Sequence, residues 1–277
     1  MTSFSIFDFG FSIGTSKRKK IPLLALCALR FALCVPAEAQ QPTKIARIGV
    51  LSPFPAKTAS LASFEAFRQA LRELGYIEGQ TIVIEYRHAD GKTDRLPTLA
   101  AELVRLKVDL IFTTWGTASA LAAKKATTAI PIVIGAVGDP VSAGLVASLA
   151  RPGGNITGLS SLALDLEGKR IEMLKEVVPK IASVAVPWDP ANPYSALAFK
   201  EEQAAAQALG VRLQPILVRD ANDLESAFST MTRERPDGLS LHAYTVLVVH
   251  RARIVDFAAR SRLPAVYQWL SMWMTEA

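Results

Sequence analysis

ARIGVLSPFPAKTASLASFEAFRQALRELGYIEGQTIVIEY, residues 46–86, holds one full round of the pattern that decides the fold. Residues 46–51 place Ile48, Val50 and Leu51 in a short run that is apolar on both faces, as a strand inside a parallel sheet must be. Leu61, Phe64, Phe67, Leu71 and Leu74 then recur at spacings of three and four, which aligns one face of an amphipathic helix, and Gly75 supplies the stop. A β-branched run over 81–86 makes the second strand. Strand, helix and strand at this spacing form a crossover unit, and parallel strands require one.

The unit repeats outward along the chain. A helix over 94–106, a strand over 109–113, a helix over 117–125 and a strand over 130–135 follow, and residues 141–150 help close a first lobe. Turn-rich Arg151-Pro152-Gly153-Gly154-Asn155 and a strand over 156–159 lead toward a second lobe. There the pattern predicts helices over 164–178, 194–209, 222–235 and 246–261, with strands over 183–186, 211–218, 237–242 and 265–267. The expected fold is therefore α/β, two Rossmann-like lobes with parallel sheets, the first over 44–160 and the second over 161–277. The length of 277 residues agrees, because single cores divide well before about 250 to 300 residues.

Ahead of this pattern stands a different composition. Lys17, Arg18, Lys19 and Lys20 precede an apolar stretch over 21–36, and Ala37-Glu38-Ala39 presents small residues as a cleavage site does, so residues 1–39 read as a signal peptide with an N-terminal extension and the chain as exported. The formal charge of +6 invites a nucleic-acid partner, but residues 1–39 carry five basic and two acidic residues. The remainder has 26 basic against 23 acidic residues, which demands no polyanion. Cys27 and Cys34, the only cysteines, also lie in this leader, so the mature chain would hold neither disulfides nor thiolate metal sites.

In open α/β sheets, ligands bind at the carboxyl ends of strands. Gly116 and Thr117 sit there, at a helix N-terminus suited to a carboxylate, or else as an ordinary cap. Asp139 could hold an ammonium or merely shape the turn before Pro140. Residues 188–194, with Trp188, Asp189, Asn192 and Tyr194, form either one wall for an apolar ligand with a polar end or a helix-entry loop capped by Asn192 or Ser195. No nucleophile elbow, phosphate loop, dinucleotide fingerprint or zinc-protease helix motif is present. His88, His242 and His250 read as surface or packing residues, so no catalytic or metal-binding residue and no cofactor is expected.

The stretches IGVLSP (48–53), FRQALRELGYIEGQTIVIEYR (67–87), DRLPTLAAELVRLKVDLI (94–111), IPIVIGAVGDPV (130–141), GLVASLARPGGNITGLSSL (144–162), GKRIEMLKEVVP (168–179) and HRARIVDFAARSRLPAVY (250–267) resemble the tryptophan/tyrosine-type substrate-binding proteins of ABC importers. The resemblance implies a type I periplasmic binding fold, a two-lobed clamp that closes on a small ligand such as an amino acid and docks on membrane permease subunits. No bond is made or broken and no nucleic acid is bound. By matching positions it implies Ser52, Gly116, Thr117, Asp139, Ser160, Ser161, Asn192 and Tyr267 as cleft residues, the first lobe gripping the backbone-like end of the ligand and the second closing over its side chain.

Two departures accompany the resemblance. Leu241-His242-Ala243-Tyr244 stands where the family has a short segment with proline and aspartate, which implies a lost polar contact in the second lobe. Beyond Tyr267 the family normally continues while residues 268–277 resemble nothing in it, which implies a truncated copy with the last part of the fold missing. Two other readings remain. An α/β enzyme acting on a small carboxylate would need a strand-end loop that brings a nucleophile within reach of a base, which the histidines do not promise. The effector lobe of a transcription regulator would need a DNA-binding helix pair.

Overall fold

The computed structural model describes residues 45–56, 62–161 and 163–268. The expected leader with its cysteines, Leu61, and the tail beyond Gln268 lie outside these residues. Two wholly parallel sheets organise the rest. The first contains β1 (Ala46–Ser52), β2 (Ile82–His88), β3 (Leu110–Thr113), β4 (Ile132–Val137) and β5 (Ile156–Ser160) in the order β2-β1-β3-β4-β5. The second contains β6 (Ser183–Trp188), β7 (Arg212–Leu217), β8 (Gly238–Leu241) and β9 (Ala265–Tyr267) in the order β7-β6-β8-β9. Both orders start from an inner strand, step outward once and then cross back, which is doubly wound topology.

The helices are α1 (Ala62–Glu73), α2 (Leu96–Arg105), α3 (Thr117–Ala126), α4 (Glu167–Val177), α5 (Pro193–Ala208), α6 (Asp223–Glu234), α7 (Thr245–Val249) and α8 (Arg251–Arg260). Side chains alternate across a strand, so each sheet buries two faces. On one face of the first sheet Ile48 and Val50 meet Phe64 and Phe67 of α1, with Phe67 stacked 4.5 Å from Phe112. On the other, Leu51, Ile111 and Ile132 meet Leu99 and Leu103 of α2 and Ala120 and Ala123 of α3. In the second sheet Val184 and Val186 pack against Ile171 and Leu174 of α4, while Ala185 faces Leu224 and Met231 of α6 and Phe257 of α8.

The two sheets pin their inner strands in the same way. Asp109, just before β3, accepts the Arg47 N–H of β1 at 2.9 Å. Asp237, just before β8, accepts the N–H groups of Ala182 (3.0 Å) and Ser183 (2.8 Å) and the Ser183 hydroxyl (3.0 Å) at the start of β6. The Ala182 N–H, then the Ser183 hydroxyl and N–H, hold the Asp237 carboxyl below its ordinary range against a smaller opposing effect of burial. A depressed folded-state pKa adds stability above the ordinary carboxylate value, lost as pH falls through the folded one. Asp237→Ala should therefore cost about 1 kcal/mol near neutral pH and progressively less below about pH 4. Urea midpoints of both chains across that range test this, and a gap that does not narrow in acid would reject it.

One expected element differs. The predicted helix over 246–261 is two helices that meet at His250, whose φ of −105° and ψ of 19° lie off the helical well. Its N–H still reaches Val246 O (3.1 Å) while Arg253 and Ile254 restart the ladder on His250 O, so the apolar period continues through a bend in direction. The strand over 156–159 is the fifth strand of the first sheet, paired with β4.

Candidate functional site

Inner strands of both sheets end at one crevice. Pro53 and Phe54 follow β1, residues 115–119 follow β3, Gly138 follows β4, Ser161 follows β5, Asn192 and Tyr194 follow β6, residues 243–245 follow β8 and Gln268 follows β9. Among the described residues the edge strands β2 and β7 contribute nothing, whereas the opposite edges β5 and β9 do. The crevice encloses about 540 Å³, the solvent at its mouth included.

The N-terminus of α3 opens into it. Gly116 is the N-cap, at φ 87° and ψ 142°, a conformation that a residue without Cβ adopts freely. Among the described residues no side chain caps this helix. Ser119, the nearest hydroxyl, is turned back onto Trp115 O (2.6 Å) and Gly116 O (3.0 Å). Thr117 is only 3% exposed, lines the crevice, and engages no hydrogen-bond partner among the described residues. First-turn N–H groups, the positive end of the helix dipole and a buried free hydroxyl thus converge on one spot, which suits an anion.

Four aromatic rings, Phe54, Trp115, Tyr194 and Tyr244, stand in the walls. Phe54 meets Trp115 edge-on at 6.0 Å, and Val248 and Ala243 from the other half of the chain pack against them. Opposite, Gly138 from the first half abuts Tyr194 at the start of α5. A Cβ at position 138 would stand 2.4 Å from the Tyr194 ring, so glycine is what allows this approach. Tyr244 donates its hydroxyl to Val218 O at 2.8 Å and leaves ring surface for the crevice.

Behind Tyr194 lies a buried polar network. Its hydroxyl donates to Glu167 Oε1 at 2.9 Å, and the other Glu167 oxygen is ion-paired with Arg170. Burial pushes the Glu167 carboxyl above its ordinary range despite the opposing field of Arg170. Ser240 donates to Glu202 Oε1 at 2.5 Å, while Glu202 Oε2 lies 3.8 Å from His242 Nδ1. Ser195 Oγ is 2.8 Å from His242 Nε2. This corrects the expectation that no histidine would meet a nucleophile, and the partners, 47 residues apart, could not be paired from spacing. Ser195, Glu202 and His242 are each fully buried, and Ser195 Oγ also accepts the Asp189 N–H at 2.9 Å. A nucleophile must touch its substrate, and this one is sealed inside the packing.

Of the cleft residues that the resemblance implied, Gly116, Thr117, Ser161 and Asn192 line the crevice. Asn192 also caps α5, its Oδ1 accepting from the N–H groups of Tyr194 (3.1 Å) and Ser195 (3.2 Å). Ser52, Asp139, Ser160 and Tyr267 do not line it, and each has a local reason. Ser52 Oγ accepts the Phe54 N–H at 3.2 Å inside its own turn. Asp139 Oδ1 accepts the N–H groups of Val141 (2.9 Å) and Ser142 (3.0 Å). Burial alone would raise that carboxyl, yet the Ser142 hydroxyl and these N–H groups together hold it low. Ser160 ends the exposed edge strand β5, and Tyr267 packs into the core of the second sheet. Trp188 stacks on Phe199 at 4.5 Å rather than on the crevice. Phe54, Trp115, Tyr194 and Gln268 also line it, the last standing one residue past the end of β9.

A sequence model of the ABC transporter substrate binding protein family matches residues 48–268. The chain belongs to that family. A tyrosine-binding protein of Clostridioides difficile (strain R20291) is 41% identical over 123 residues, 44% of this chain and 34% of the relative, so the match spans about a third of that protein's length. The crystal structure of a conserved domain protein from Vibrio cholerae O1 biovar El Tor superposes with a TM-score of 0.73 at 28% identity, covering 83% of this chain and 76% of that one. An ABC domain from Streptococcus pneumoniae in complex with L-Trp gives a TM-score of 0.71 at 24% identity over 82% and 75% of the two chains, a likeness of fold. The architecture is that of the type I periplasmic binding proteins. ABC transporter substrate-binding proteins bind small ligands and work with membrane permeases, and a crevice between two parallel sheets is where this fold can enclose one.

Proposed function

We propose that the chain is the extracytoplasmic, non-enzymatic component of an ABC importer, which captures a small carboxylate such as an amino acid or a related compound in this crevice and delivers it to permease subunits in the membrane. The observation that carries the reading is the α3 N-terminus without a side-chain cap and the Thr117 hydroxyl, which has no partner among the described residues, in a crevice lined by four aromatic rings. Similarity to a tyrosine-binding protein supports a ligand of that size. The basic cluster at Lys17, Arg18, Lys19 and Lys20 and the Ala37-Glu38-Ala39 site support export.

Thr117→Val keeps the shape and removes the hydroxyl. It should weaken carboxylate binding by about 0.5 to 3 kcal/mol, the range of a lost charge-assisted hydrogen bond. Ligand-induced thermal shifts measure this, because a ligand that binds only the folded state raises stability in proportion to RT ln(1 + [L]/Kd). Equal shifts in the two chains, with the variant folded, would remove Thr117 from the site.

A further inference from the structure

We infer that the preferred ligand carries a carboxylate but no ammonium, so that the crevice selects an aromatic monocarboxylate over the amino acid of the same skeleton. The inference rests on the capture reading above and sharpens its ligand class. It starts from the lining: among the described residues no aspartate, glutamate, lysine, arginine or histidine contributes to the crevice wall. What remains is ring and aliphatic surface, hydroxyls, two amides and the first turn of α3.

The orientation of the two amides decides the polarity. Asn192 Oδ1 is occupied by two backbone N–H groups, and Gln268 Oε1 accepts the Ala243 N–H. Only the oxygen of an amide can accept from a backbone N–H, so both orientations follow from the bonding; the Gln268 NH2 is turned to the Tyr194 hydroxyl, which leaves the Asn192 NH2 as the amide donor without a partner among the described residues. Together with the N–H groups at the start of α3 it gives the wall donors, while the acceptors among the described lining residues are neutral oxygens and none is a carboxylate. A carboxylate is an acceptor with four lone-pair sites and fits such a wall; an ammonium is a donor only and finds no anionic partner there among the described residues.

The nearby carboxylates offer no remedy. Asp139, next to Gly138, is held by Val141 and Ser142. Asp189 is buried, and its Oδ1 accepts the Ala191 N–H at 2.9 Å. Glu167 lies behind Tyr194 and is paired with Arg170. An ammonium brought into the crevice would also stand near the positive end of α3, and an ion taken from water without a counter-charge is held weakly or excluded.

Titration calorimetry of the full chain with three probes tests the inference: hydrocinnamate, L-phenylalanine, which adds only the ammonium, and hydrocinnamyl alcohol, which lacks the carboxylate. Hydrocinnamate should bind at least about tenfold more tightly than either of the others. L-Phenylalanine binding within that factor, or more tightly, would overturn the inference and leave carboxylate capture standing. An alcohol that matches hydrocinnamate, or a chain that binds none of the three, would overturn carboxylate capture and the inference with it.

Discussion

Arg170→Ala is expected to destabilise the folded chain by about 3 to 5 kcal/mol, the cost of leaving one member of a buried ion pair without its partner. Glu167 is fully buried, Arg170 is 7% exposed, and the pair sits where α4 meets α5 and the second sheet. With the guanidinium gone, the one close donor to Glu167 that remains among the described residues is the Tyr194 hydroxyl. The direction of the pH dependence follows. Burial already raises the Glu167 pKa in the folded state, and losing Arg170 raises it further. A raised carboxyl contributes stability that is present below its unfolded value and lost as pH climbs through the folded value. The deficit of the variant should thus be larger near pH 8 than near pH 5. Urea unfolding at both values measures it, and an equal deficit at the two would show that Glu167 is not the group responsible. Adding Glu167→Gln should recover much of the loss, since an amide leaves no uncompensated charge.

Gly138→Ala acts on the crevice from the opposite wall. The new Cβ would lie 2.4 Å from Tyr194 Cε2 and 2.6 Å from Cδ2, inside any real contact, with Leu164 at 3.5 Å behind. Either the ring swings and breaks its hydrogen bond to Glu167, or the two halves separate. Overpacking of this kind costs about 1 to 3 kcal/mol, and the ligand should bind at least about tenfold more weakly because its wall has moved. In a Tyr194→Ala background the same methyl keeps only an ordinary contact with Leu164, so its effect should nearly vanish, and the two changes should be strongly non-additive. Ligand affinity and melting temperature of the two single variants and the double variant form the cycle. Additive losses would mean that Gly138 and Tyr194 do not meet in solution.

Why the elements were legible and half of the site was not can be argued from single positions. Strands such as 46–51 are apolar on both faces and helices such as α1 carry a clear three-four period, so local composition alone determines them. Gly116 and Thr117 were found because a strand followed directly by a helix leaves one place for the N-terminus. The misses are errors of one residue or of orientation. Tyr267 was expected in the cleft, yet side chains alternate along a strand and its ring falls on the core face, while Gln268, leaving the sheet, reaches the crevice. Ser52 and Asp139 have the right position along the chain, but their side-chain oxygens turn back to bond their own loops, which short polar residues do readily. The Ser195, Glu202 and His242 assembly was invisible because helix α5 and strand β8 bring it together only in three dimensions.

The contact of Phe54 and Trp115 with Ala243 and Val248 brings apolar side chains of the two halves together. Any opening that parts these side chains wets them, so it must carry a positive heat-capacity change. Attraction of this kind weakens on cooling. The balance between parted and joined halves should therefore tilt toward the parted form in the cold, with no change of ligand, salt or protonation, and the crevice would be readier to admit solute as the temperature drops.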